Sequence, residues 1–184
     1  SSVPPGIKII APAFYSGANT LEDVLGTNGT ANFDPDLADN VYLYTPGSGY
    51  STFWLCDGSV FPELDHKWVD SSFTSATNVV LPGEGFWVKN RAGSTNTYTM
   101  MGEVVDSAVV TNTIATGLSI LAYPYSSDVT VGALACTNGA ANFDPDLADN
   151  IYVYTPGVGY KTYWLCDGSV FPELNKKWID SGFA

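Results

Sequence analysis

The chain has 184 residues, with 19 Asp and Glu against 7 Lys and Arg for a net charge of −12, and 45% of its residues are hydrophobic. With 14% aromatic and only 14% charged residues it is too apolar for a solvated coil, and it is long enough for one large or two small cores. The acidic balance argues against nucleic-acid binding, which needs a basic face, and no apolar stretch approaches the roughly 20 residues of a membrane-spanning helix.

In chain order the pattern is β throughout. The chain opens Ser1-Ser2-Val3 with no Met and no charged-plus-apolar leader, which reads as a mature exported protein after signal removal. Residues 6–11, with Ile7 and Ile9, form a first apolar strand. Thr20 is placed to cap one helical turn over 20–25, and Pro35 to open another over 34–39. Residues 41–44 and 50–55 are rich in β-branched and aromatic side chains and flank a Thr-Pro-Gly-Ser-Gly turn, so they predict a hairpin. Asp57-Gly58-Ser59 is a turn, and 67–70 a short third strand. Further strands are predicted over 79–81, 85–90, 95–105 and 107–114, separated by Pro-Gly, Ala-Gly-Ser and Asp-Ser breaks.

The internal repeat decides the organisation. Residues 27–73 recur as 137–183, an offset of 110, with differences at 10 of 47 positions. A looser match aligns 6–11 with 117–122. The exchanges Val41/Ile151, Leu43/Val153 and Val69/Ile179 keep an aliphatic side chain, as a core tolerates, whereas Ser51/Lys161, Asp65/Asn175 and His66/Lys176 suit water-facing sites. The expected architecture is all-β, two tandem sandwich-like repeats: a complete unit over 1–114 and a second over 115–184 that lacks a counterpart of 74–116, the C-terminal strands of the first. A unit without those strands exposes sheet edges that invite pairing with another chain.

The order of these elements, with Ala-Asp-Asn-Val-Tyr-Leu-Tyr, Gly-Tyr-Ser-Thr-Phe-Trp-Leu, Lys-Trp-Val-Asp and Leu-Pro-Gly-Glu-Gly-Phe-Trp-Val-Lys, resembles a repeat found in secreted β proteins of environmental bacteria. The likeness covers 6 to about 105 and again 117–183, and the Pro-Gly-Glu-Gly-Phe-Trp element stands only in the first copy. It implies an exported, surface-associated protein and carries over no catalytic residues.

Candidate chemistry is sparse. Asp34, Asp36 and Asp39, repeated as Asp144, Asp146 and Asp149, offer hard oxygen ligands to calcium without the spacing of an EF-hand; the other reading is that they cap a short helix and close a turn. His66 is the only histidine and Lys176 replaces it in the second copy, which disfavours transition metals and His-dependent nucleophilic catalysis. No Gly-x-Ser-x-Gly elbow is present, and Glu63 and Glu173 read as turn residues rather than a carboxylate pair, so no enzyme is expected. Cys56 and Cys166 are repeat equivalents while Cys136 aligns with Gly26; a Cys136–Cys166 disulfide is one reading, core packing of Cys56 and Cys166 the other.

The leading expectation is a structural subunit of an extracellular filament or surface layer, a homopolymer assembling head-to-tail by β-strand complementation. The expected interface is Tyr160, Tyr163, Trp164, Trp178 and Phe183 of the second copy, with residues 3–10, including Ile7 and Ile9, as donor. Pro4 and Pro5 cannot donate to a ladder and restrict that donor to the residues after them. The alternative is a tandem adhesin module binding calcium or surface glycans through the Asp-rich loops and neighbouring tyrosines.

Overall fold

Runs of Val, Tyr and Thr between Pro-Gly turns fold as antiparallel β-structure in the computed structural model, which describes residues 1–106, 110–111, 114–125, 127–155 and 157–183. The fold is all-β, as expected, and divides into two compact units, Ser1–Ser126 and Ser127–Ala184. The division falls later than the expected 114/115 boundary because 120–122 pair with the first unit. The Gly85 N–H donates to the Ile120 carbonyl at 3.4 Å, the Ala122 N–H to the Gly83 carbonyl at 2.9 Å, and Glu84 bridges Leu121. The strand expected over 107–114 lies largely outside the described residues.

The first unit contains β1 (Ser2–Val3), β2 (Gly6–Ile10), β3 (Phe14–Tyr15), helix α1 (Leu21–Leu25), β4 (Asn40–Thr45), β5 (Gly49–Leu55), β6 (Trp68–Val69), β7 (Phe86–Asn90), β8 (Asn96–Thr97) and β9 (Glu103–Val104). Its main sheet has the order β2-β7-β4-β5-β6, and β1–β8 and β3–β9 form two-stranded ribbons. The predicted hairpin is β4–β5, in register from Asn40 opposite Trp54 to Thr45 opposite Gly49. The expected strand over 79–81 is reduced to a bridge between Thr20 and Val79, and the expected strand over 95–105 is split into β8 and β9.

The sheet is buried on both faces, because successive side chains of a strand point oppositely. On one face Val41, Phe53, Leu55 and Trp68 pack with Leu21, Val24, Leu25, Phe86, Val88 and Tyr98. On the other, Trp54, Cys56 and Val69 pack with Ala38, Leu64 and Phe73. The first cluster draws on the whole unit, and the second only on residues 38–73.

Helix α1 covers the first face. Thr20 and Asp23 form a capping box: Thr20 Oγ1 accepts from the Asp23 N–H at 3.3 Å, and Asp23 Oδ2 accepts from the Thr20 N–H at 3.1 Å. The Thr20 hydroxyl also donates to Asp23 Oδ2 at 2.9 Å, and the bonds this carboxylate accepts from Thr20, backbone first, lower the Asp23 pKa. Gly26 ends the helix at φ 68°, a left-handed conformation suited to glycine, and its carbonyl accepts from Trp68 Nε1 at 2.9 Å.

The second unit contains β10 (Asn150–Thr155), β11 (Gly159–Leu165) and β12 (Trp178–Ile179) in one sheet, order β10-β11-β12. Its register, Asn150 opposite Trp164 to Thr155 opposite Gly159, is that of β4–β5 shifted by the repeat offset. Of the expected opening strand over 117–122, only the Leu121 bridge to the first unit forms. Where α1 stands in the first copy, the second has a 3-10 turn, Val131–Ala133. Gly132 and Ala133 take the places of Glu22 and Asp23, so the capping box cannot form.

The expected consequence is asymmetric: Thr20→Ala lowers the stability of the first unit by about 1 kcal/mol, whereas Thr130→Ala changes the second by at most a few tenths. Chemical denaturation read by amide exchange in β4 and in β10 checks both values.

Candidate functional site

Each expected site residue has a definite place. The Asp-rich loops are built as turns. Asp34 Oδ1 accepts from the Asp36 N–H at 2.8 Å and Asn40 Nδ2 donates to the Pro35 carbonyl at 3.0 Å; Asp144 and Asn150 repeat both bonds at 3.0 Å. Asp36 lies 3.5 Å from Arg91, while Asp39 turns into the core. Asp34, Asp36 and Asp39 therefore do not converge, nor do Asp144, Asp146 and Asp149; no metal-binding group of three forms among the described residues.

Of the two readings of the cysteines, the Cys136–Cys166 disulfide does not form and core packing does: all three cysteines are free thiols, and Cys56 and Cys166 are buried. Cys166 instead packs with Trp164 and Ile179, and its sulfur accepts from the Gly168 N–H at 3.5 Å. The expected interface is likewise corrected at Trp164, which is buried in that cluster and donates from Nε1 to the Phe143 carbonyl at 3.2 Å. Phe183 stacks on Phe143 at 5.7 Å. Tyr160 is exposed and faces Tyr154 across the hairpin at 5.1 Å. Residues 3–10 are no free donor arm, since Val3 pairs with Asn96 in β8 and β2 pairs along its length with β7.

The interaction that sequence reading missed is centred on Asp39. Its side chain is fully buried just before β4 and accepts four hydrogen bonds. The Arg91 N–H donates to Oδ1 at 2.7 Å, while Oδ2 accepts from the Thr30 N–H at 3.0 Å, the Tyr98 hydroxyl at 3.0 Å and Asn96 Nδ2 at 3.3 Å. Burial, and then the charge and hydrogen bond of Asp39, push the Tyr98 phenol well above its ordinary pKa of 10.0. A Cβ at Gly29 would stand 2.6 Å from Oδ2, so glycine gives the carboxylate its room.

Asp149 has the same neighbours in sequence and a different environment. The Ala140 N–H donates to its Oδ2 at 3.0 Å, as Thr30 does to Asp39, but among the described residues the other three donors have no counterpart, and Asp149 is exposed. Those donors come from residues 91–98, the stretch that follows β7. In the first unit β7 lies against β4, with Lys89 opposite Asn40, Val88 opposite Val41 and Trp87 opposite Tyr42. Among the described residues no strand pairs with the corresponding edge of β10.

The uncovered face of the second unit extends from that edge. Ile151, Tyr163 and Trp178 are half-buried where Val41, Phe53 and Trp68 are buried. Trp178 Nε1 is enclosed but has no partner among the described residues. A groove of about 330 Å³ runs between the 3-10 turn and the sheet, lined by Val131, Gly132, Lys161, Tyr163, Trp178 and Asp180. The opposite face is complete: Trp164, Cys166 and Ile179 pack with Phe143, Ala148 and Leu174, as their equivalents do in the first unit. On that face the first unit also carries a hollow of about 450 Å³ lined by Phe33, Asp34, Pro35, Trp54, Ser71 and Phe73.

Asp39→Ala leaves the Tyr98 hydroxyl and the Arg91 N–H buried without their acceptor, and is expected to cost the first unit about 3 kcal/mol; Asp149→Ala costs the second less than about 0.5 kcal/mol. Denaturation read separately in β4 and β10 checks the contrast. A phenol whose pKa is raised on folding contributes stability that is full below its unfolded pKa, so the first unit is expected to weaken as pH rises above about 10, and Tyr98→Phe to flatten that slope. Compared with protein families, curated proteins and solved structures, the chain matches none.

Proposed function

We propose that the chain is a structural subunit of an extracellular filament or surface layer, joined to its neighbours by β-strand addition on the second unit. The observation that carries this reading is the outer edge of β10, which no strand among the described residues covers, at the position where β4 carries β7. An unpaired edge presents a row of main-chain donors and acceptors, and a second chain satisfies them by adding a strand. Beside the edge, Tyr152 and Val153 are 52% and 37% exposed, which supplies apolar area for the contact.

Such a contact joins β10 of one molecule to a different surface of the next. It is not self-complementary, so it propagates into a fibre or layer unless rotation closes a ring. The reading needs no catalytic constellation, and the acidic surface suits an exposed, extracellular assembly. The chain is expected to associate with rising concentration, more strongly in high salt, because screening relieves the mutual repulsion of subunits carrying −12. Tyr152→Lys, an exposed change on the open strand, is expected to return it to single chains. Light scattering during size exclusion decides: a native chain that keeps the mass of one molecule at high concentration and salt overturns the proposal.

A second reading, glycan binding, is favoured by the aromatic hollow of the first unit. Phe33 and Phe73 stack at 5.0 Å, and Phe73 sits at φ 57°, a strained conformation of the kind that gathers at binding sites. Quenching of tryptophan fluorescence by soluble oligosaccharides, abolished by Phe73→Ala, is the result that favours this reading over the structural one.

A further inference from the structure

We infer that the strand received by the second unit is of the β7–β8 type, supplied from outside residues 1–184, and that Asp149 anchors it. The inference rests on the strand-addition reading and names its partner. The first unit shows what the surface is shaped for. The hairpin β4–β5 and the hairpin β10–β11 share their register, and the carboxylate before each stands at the same place in the repeat. In the first unit that carboxylate, the edge of β4 and the face of Val41, Phe53 and Trp68 are all covered by elements that include one segment, residues 86–98.

Transposed to the second unit, a segment of this pattern sets its Lys, Val and Trp positions opposite Asn150, Ile151 and Tyr152. Its Phe and Val side chains lie over Ile151, Tyr163 and Trp178, and three donors then reach Asp149. They are the main-chain N–H at the Arg91 position, the amide at Asn96 and the hydroxyl at Tyr98. In the second unit the Asp149 carboxylate is exposed and, among the described residues, accepts the Ala140 N–H, which leaves room for further donors. A donor with this arrangement gains charge-assisted hydrogen bonds that an arbitrary apolar strand does not, which makes Asp149 a determinant of register and partner choice.

Residues 3–10 fit the edge less well. They would bring Ile7 and Ile9 to the face but no hydroxyl or amide to Asp149, and β2 is already bonded to β7. Residues 86–98 are built into the first unit, so the strand that completes the second is a further segment of the same pattern.

The test uses the full chain and a labelled synthetic peptide with the sequence of residues 84–98, EGFWVKNRAGSTNTY. Binding is measured by fluorescence anisotropy and located by amide exchange. The expected result is saturable binding with new protection at residues 150–152. Asp149→Ala, whose unchanged exchange in β11 shows that it is folded, is expected to weaken binding at least about tenfold, as is Tyr98→Phe in the peptide. Equal affinity for the native and Asp149→Ala chains overturns the anchoring role while leaving strand addition standing. No binding and no protection at 150–152 overturns both. Protection gained in β4 instead of β10 shows exchange with the chain's own β7 and overturns the inference.

Discussion

The first unit is held together by the need to satisfy one buried carboxylate. Asp39 lies at the entrance to β4, and a charge removed from water there is tolerable only with several donors around it. Three of its four partners come from residues 91–98, which β7 carries to that place. The covalent chain therefore has to return along β4 before Asp39 can be enclosed, and the same return brings Phe86, Val88 and Tyr98 onto the sheet. Polar satisfaction and apolar burial are completed by a single segment, so neither forms without the other. A carboxylate that can be satisfied in only one register also specifies that register, in the way buried polar groups act in other folds.

This dependence explains why two nearly identical stretches of 47 residues end in different states. The duplicated block encodes three strands, the loops between them and one finished face, which is why Trp164, Cys166 and Ile179 pack like Trp54, Cys56 and Val69. The other face is closed by residues outside the block: α1 before it, and the segment from Val80 to Tyr98 after it. Sequence identity within the block carries over the hairpin and its turns and cannot carry over a face whose partners lie elsewhere. The lost capping box widens the difference, because a short helix without its cap and with glycine inside has little to hold it.

Much of the fold was legible in residues taken locally. Thr45-Pro46-Gly47 between β-branched and aromatic runs is a strong hairpin signal, and both hairpins form. Thr20 marked the cap of α1, and the structure adds Asp23 as its partner in the capping box. The role of Asp39 was not legible, because its partners stand 52 and 59 residues away and an Asp-x-Asp-x-x-Asp string reads equally as a ligand cluster or a turn. The same limit misplaced Trp164 at an interface, whereas the core packing of Cys56 and Cys166 beside the tryptophans was one of the two readings and is what forms. The unit boundary falls later than expected because residues 117–122 look like an opening strand of the second unit, yet 120–122 pair with 83–85 of the first. In each case a local pattern was correct as chemistry and silent about its long-range partner.

An open edge beside an apolar face is also a liability, and the positions where the two copies differ bear on how it is managed. Phe53 becomes Tyr163 and Ser51 becomes Lys161, so the uncovered face gains a hydroxyl and a cation. Lys161 pairs with Asp180 at 2.7 Å, and its ammonium lies 4.8 Å from the Tyr163 ring centre. These groups keep the groove wet and partly polar, which lowers the gain for any arbitrary hydrophobic strand. The net charge of −12 acts the same way, repelling like-charged copies of the chain at a distance. A strand of the proposed kind, with main-chain bonds to β10 and donors to Asp149 together, would offset that loss where an arbitrary apolar strand would not.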